Sequence, residues 1–409
     1  MDPFQIAGLL TTLTALFAYI NYRFLRLPVT TGLMLQSLLL SLFLALLMAV
    51  GVDVVTPARR LILDLSFDVF FLQGMLSFLL FAGALFVKVE ELLTVKVSVA
   101  VFAVAGVLIS TAIVGGAFYL LSQLLGLDLR PVYCLLFGAL ISPTDPVAVL
   151  PTLRRLGIPD RLNAQIAGEA LFNDGVGIVL FLSLLAMAQS GPQPSVSQVL
   201  LTFLRQALGG LLFGSLLGWT GYFLIKTVDN FRLEILITLA LVTGGYALAR
   251  SLQVSGPLAM VMAGLLIGGR GRKLAMSEQT RENLDHFWEL VEESLNAILF
   301  TMIGLELLVL SGELSLLHLV SGVAAIPIVL LGRYLSVLVL GGLLRIGEHF
   351  CLRDVAVMTW SGLRGGIPFA LAMSLPDVKE LSVLLVATYL VVVFSILVQG
   401  TTLKRLMET

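Results

Sequence analysis

Five ionisable residues sit inside stretches otherwise apolar enough for the interior of a bilayer: Asp145, Glu169, Asp174, Arg333 and Arg364. At the centre of a membrane helix each costs about 2.5–3.5 kcal/mol, so the group costs on the order of 12–18 kcal/mol unless its members pair or meet water. Three acids against two bases leave one carboxylate over. Asp68 and Glu306 lie nearer the ends of their apolar runs and are assigned no role.

Helical phasing identifies the carboxylate left over. At about 100° per residue, the run from Ala167 to Gly177 places Ala167, Ala170, Asp174 and Gly177 on one face lined by small side chains. Such a face admits close approach by another backbone. Glu169 points roughly 140° away, with Asn173 as its neighbour at helical spacing and a buried arginine as its natural partner. Desolvation disfavours the charged form of a buried carboxylate and a nearby cation restores it, so Asp174 can hold either a proton or a cation. Competition for that one site is enough for exchange. A hard monovalent cation prefers oxygen ligands, and those expected to converge are the Asp174 carboxylate, the Thr144 hydroxyl or backbone, and Asp145 directly or through water.

The elements that must position these groups are membrane helices. The 409 residues are 58% hydrophobic and 12% charged, with a net charge of -1, which suits the bilayer as solvent and gives no basis for nucleic-acid binding. Cys134 and Cys351 lack a metal or redox spacing, and His286, His318 and His349 are scattered singly, so neither a metal centre nor a nucleophilic triad is expected. Nor is any cofactor. About 13 apolar spans can be counted between residues 4 and 403, the first too long and too little basic for a cleaved leader. Roughly 17 of the 25 basic residues fall in turns on one side, which predicts the N-terminus outside and the C-terminus in the cytoplasm. The polar stretch from Gly268 to Asp285 reads as a cytoplasmic linker, and no soluble regulatory domain is expected.

Two spans are punctuated unlike the rest. The fifth carries Ser142-Pro143-Thr144-Asp145-Pro146 and the twelfth Ser361-Gly362-Leu363-Arg364-Gly365-Gly366-Ile367-Pro368, so both should lose helical hydrogen bonds in mid-membrane. Their offset suits an inverted repeat with an ion site at the broken pair. Arg364 either offsets dipoles and charges at that crossing or forms a packing ion pair.

Thr144-Asp145-Pro146, Gly168-Glu169 through Asn173-Asp174, Gly332-Arg333 and Gly362-Leu363-Arg364-Gly365-Gly366 together resemble the monovalent cation/proton antiporters of the sodium/proton exchanger type, in the electroneutral branch marked by Asn-Asp. The resemblance spans the whole chain. It implies an all-α fold of about 13 transmembrane helices with inverted repeats and two unwound, crossing helices, spans 5 and 12. It further implies a core of about 67–189 and 285–374, and a dimerisation scaffold of about 1–66, 198–269 and 379–403. The implied activity is exchange of one Na+ or Li+ for one proton by a homodimer in the cell membrane, with Asp174, Asp145, Thr144 and Asn173 at the ion site and Glu169 paired with Arg333. K+/H+ exchange and uncoupled cation conduction are the alternatives. Two positions depart from the family: Ala170 stands where a serine is common, and Phe81-Ala82-Gly83-Ala84-Leu85 lacks an acid that could face Arg364, for which Asp68 is the candidate substitute.

Overall fold

The computed structural model describes residues 3–49, 70–145, 153, 157–189, 196–310, 315–344 and 352–403. Asp68, Pro146, His349 and Cys351 lie outside the described residues. All the regular structure described is helical, as the run of apolar segments requires: only structure that satisfies its own backbone polar groups can cross a bilayer.

Among the described residues, seven helices are long and apolar enough to span a membrane, and shorter apolar helices accompany them. In chain order we label α1 (Pro3–Ile20) and α2 (Val29–Ala49). After them come α3 (Leu76–Leu85), α4 (Lys96–Leu124) and α5 (Pro131–Ile141). The middle of the chain forms α6 (Asp160–Gln189), α7 (Val196–Lys226), α8 (Phe231–Ser251) and α9 (Gly256–Leu266). It closes with α10 (Glu278–Leu305), α11 (Leu316–Leu344), α12 (Leu352–Trp360), α13 (Gly366–Met373) and α14 (Leu381–Phe394).

Local chemistry sets several boundaries. Asn230 accepts from the backbone N–H groups of Arg232 and Leu233 at the start of α8, and Ser255 and Ser277 cap α9 and α10 in the same manner. Pro131 occupies the first turn of α5, where its missing N–H costs nothing. The helix then stops at Ile141, because Pro143 cannot continue the ladder; α12 likewise stops at Trp360 before Gly362 and α13 resumes at Gly366.

Small residues let the helices pack in two groups. In one, a Cβ on Gly138 of α5 would stand 2.5 Å from the Thr111 carbonyl of α4, and one on Gly322 of α11 2.6 Å from Leu390 of α14. In the other, Gly214 of α7 meets Ala259 of α9, Gly264 of α9 meets Phe81 of α3, and Gly304 of α10 meets Ser37 of α2. The Ser41 hydroxyl of α2 also donates to the Gly304 carbonyl at 2.9 Å. Helix α10 joins the second group through Trp288, which is fully buried, stacks beside Phe81 and donates to the Thr238 hydroxyl at 3.1 Å.

Candidate functional site

The two interrupted segments cross, and their backbones bond to each other. The Asp145 N–H donates to the Leu363 carbonyl at 2.8 Å. Gly365 is required here by space: a Cβ would lie 2.3 Å from an Asp145 carboxylate oxygen. Arg364 answers the open question about its role. Its guanidinium donates to the carbonyls of Ser142 and Pro143 at 2.5 and 2.7 Å, the groups freed where α5 ends, and its own N–H donates to the Ser395 hydroxyl at 2.8 Å. A cation on the last carbonyls of a helix offsets the negative end of its dipole.

Helix α6 lies against this crossing by its small face. A Cβ on Gly177 would collide with the Pro143 ring at 2.2 Å, so glycine is what allows the contact. One turn earlier, Asn173 clamps the unwound stretch: its amide nitrogen donates to the Thr144 hydroxyl at 2.9 Å and its amide oxygen accepts from the Thr144 N–H at 3.3 Å. Both residues are buried. Thr144 and Asn173 thus have their side chains engaged with each other.

Asp174, Asp145 and Ala170 are placed differently, on the wall of an open cavity of about 1260 Å³. It widens past Asn163 and Asp160 of α6 towards Lys88, Glu91 and Arg26, the side carrying most of the basic turns. Asp174 is half-buried. The nearby charges it feels are Asp145, which repels its own, and Arg364, which attracts it.

The opposite wall carries acids that sequence reasoning missed. Asp285, Glu289, Glu292, Glu293 and Asn296 of α10 all face the cavity, and Glu292 lies within electrostatic reach of Asp145. Their spacing of four, seven, eight and eleven residues from Asp285 marks one helical face. That periodicity was the available signal. It is hard to see because the face begins at Asp285, where the polar stretch that reads as a linker ends.

Glu169 is held apart from the cavity. It is 1% exposed and makes a two-point ion pair with Arg333 of α11, the second contact being 3.1 Å; Arg333 also donates to the Met358 carbonyl at 3.4 Å. Around Asp174 the described residues contain no group of three or more His, Cys, Asp or Glu suited to a tightly held metal. What the site offers is carboxylate oxygen on the wall of an open cavity. Such an arrangement can exchange a weakly held ion for a proton.

Two interrupted helical segments that cross beside carboxylates on the wall of an open cavity define a secondary ion transporter. The chain belongs to the sodium/hydrogen exchanger family: the family model "Sodium/hydrogen exchanger, transmembrane" matches residues 12–409. Members are transporters, not enzymes. The chain is 44% identical over 401 residues to the Na(+)/H(+) antiporter NhaP of Pseudomonas aeruginosa, covering 97% of this chain and 94% of that protein. It is 37% identical over 288 residues to the Na(+)/H(+) antiporter NhaH of Halobacillus dabanensis, covering 69% of each. The fold is similar to that of the sodium proton antiporter MjNhaP1 of Methanocaldococcus jannaschii at pH 8, with a TM-score of 0.78 at 20% identity over 100% of this chain and 98% of that one.

Proposed function

We propose that this chain exchanges one Na+, or Li+, for one proton without net charge movement, at Asp174. The observation that carries the reading is the contrast in α6: Glu169 is neutralised by Arg333, whereas Asp174 is presented to a wide, acid-walled cavity. One carboxylate that releases a proton when it takes a monovalent cation moves no net charge per cycle. Asp145 adds an oxygen and a second negative charge, while Thr144 and Asn173 fix the unwound backbone.

The packing supports an alternating-access reading. A moving unit of α4–α6 with α11–α14 carries the crossing, and α1–α3 with α7–α10 form the scaffold. This assigns residues 76–85 and 285–305 to the scaffold and 381–394 to the moving unit, whereas the division drawn from the sequence put the first two in the core and the last in the scaffold; the close approach of α11 to α14 at Gly322 and Leu390 supports moving the last. The tight contacts of α3 with α9 and of α10 with α2 support the change. The cavity then opens to the cytoplasm of a cell membrane, with the N-terminus outside, the C-terminus inside and two chains joined through their scaffolds.

Ala170 favours a second cation. It lines the cavity one turn from Asp174 and offers no hydroxyl to replace water of hydration, which suits an ion that sheds its water readily, such as K+. Proton flux in lipid vesicles driven by gradients of Na+, Li+ or K+ tests both readings. Flux with Na+ or Li+ supports the first, flux with K+ alone the second, and cation movement without protons the uncoupled alternative.

A further inference from the structure

One carboxylate remains unused by this account. Glu306 follows the last residue of α10 and is 1% exposed, and its Oε2 has no hydrogen-bond partner among the described residues. Across from it runs α14, on which the short helix Leu307–Leu310 packs. There Thr388 and Tyr389 are also buried, at 0% and 3% exposed, and each hydroxyl likewise lacks a partner among the described residues. The Tyr389 hydroxyl is within electrostatic reach of the Glu306 carboxylate. Unpartnered polar groups buried this deeply are costly unless they meet a proton, an ion or water at some stage of the working cycle.

The location says which stage. Helix α10 lines the open cavity as far as Leu299, and from Leu299 to Glu306 it rises about 10 Å further. Glu306 thus belongs to the sealed half of the molecule, opposite the cavity mouth. It also sits on the scaffold, while Thr388 and Tyr389 sit on the proposed moving unit, so sliding of one past the other changes what the carboxylate faces. Tyr389 meets the Phe369 ring of α13 edge-on at 5.8 Å, which ties it to the half-helix that starts at the crossing.

The neighbouring helices carry few ionisable groups, and the two arginines among them, Arg232 and Arg250 of α8, are exposed. Helices α2, α3 and α13 contain no ionisable side chain, α1 only the exposed Tyr19 and α14 only Tyr389. On α8 the ionisable residues are Arg232, Glu234, Tyr246 and Arg250. Of these, Glu234 accepts from Thr280 at the far end of α10 and Tyr246 donates to the Leu72 carbonyl.

We propose that Glu306, with Tyr389 and Thr388, is a proton station on the outward access route, distinct from the Asp174 site. The carboxylate takes a proton from a hydronium ion of the outer water, one O–H bond breaking there as one forms on the carboxyl, and returns it to water by the reverse transfer, which restores the carboxylate ion. The proposal rests on the antiport reading above.

Right-side-out and inside-out membrane vesicles from cells expressing the full chain separate the two faces. In right-side-out vesicles, Glu306→Gln is expected to shift the bath pH of half-maximal cation-driven proton flux by about half a unit or more. Tyr389→Phe should shift it less, in the same direction. Inside-out vesicles, whose bath meets the open cavity, should show no shift. An unchanged profile, or an equal shift in both orientations, overturns the station. If Glu306→Gln abolishes flux, Glu306→Asp decides: recovered flux supports a titrating carboxylate, and no recovery assigns Glu306 to packing. Absence of flux in wild-type vesicles of either orientation would overturn the antiport reading itself, and the station with it.

Discussion

Glu169 and Asp174 stand five residues apart on one helix, and the fold gives them opposite fates. Glu169 faces α11, is sealed from water and spends both oxygens on Arg333. Asp174 faces the crossing and an open cavity, and among the described residues no arginine is bonded to it. A carboxylate bonded to an arginine is a fixed anion that holds structure. One without such a partner is left to bind whatever cation or proton arrives. Helical phase, rather than residue type, separates the two roles.

The largest effect should come from exchanging those fates. Asp174→Asn is expected to fold normally and to show no cation-driven proton flux in vesicles, while Glu169→Gln retains coupled flux at reduced stability. Arg333→Ala should lower stability by about 3–5 kcal/mol, because it strands a buried Glu169. Thermal unfolding in detergent measures it, and the double variant Glu169→Gln/Arg333→Gln should recover part of the loss. Arg364→Ala removes charged hydrogen bonds to the Ser142 and Pro143 carbonyls, worth about 1.5–3 kcal/mol. It should also slow exchange, since those carbonyls end beside Asp145.

Smaller effects probe the surroundings of the contrast. Replacing Glu289, Glu292 and Glu293 together by glutamine should raise the cation concentration for half-maximal flux by up to about tenfold at low ionic strength. The difference should shrink as salt screens the wall. The smallest effect concerns an ion pair outside the membrane helices, Arg130 with Glu380, at 2.6 and 3.0 Å. Burial works to raise the Glu380 carboxyl, but the hydrogen bonds and charge of Arg130 hold it below the usual carboxylate range. Its folded value is depressed, so the stabilisation is fully present above the ordinary value of about 4.3 and fades as pH falls through the lower folded value. Glu380→Gln should therefore flatten the acid limb of a melting-temperature profile and lower its neutral plateau slightly.

What was legible in the sequence was local. Proline and glycine in apolar runs announced both interruptions, and charge in the same runs announced Asp174, Glu169 and the arginines. The bond from Asp145 to Leu363 was not legible, because it joins segments more than two hundred residues apart through backbone atoms that every residue carries. For the same reason the hydrogen bonds that join Thr144 to Asn173 were not legible. The acids of α10 were legible in principle, since their spacing marks a face, but only to a reading that treats a charged first half and an apolar second half as one helix.

The central claim is that one carboxylate holds either the cation or the proton. Proton release from purified protein in weakly buffered detergent, on addition of Na+ or Li+ and then K+, tests it most directly. The account predicts release of about one proton per chain near neutral pH, kept by Glu169→Gln and absent from Asp174→Asn. Release of equal size from Asp174→Asn would contradict it.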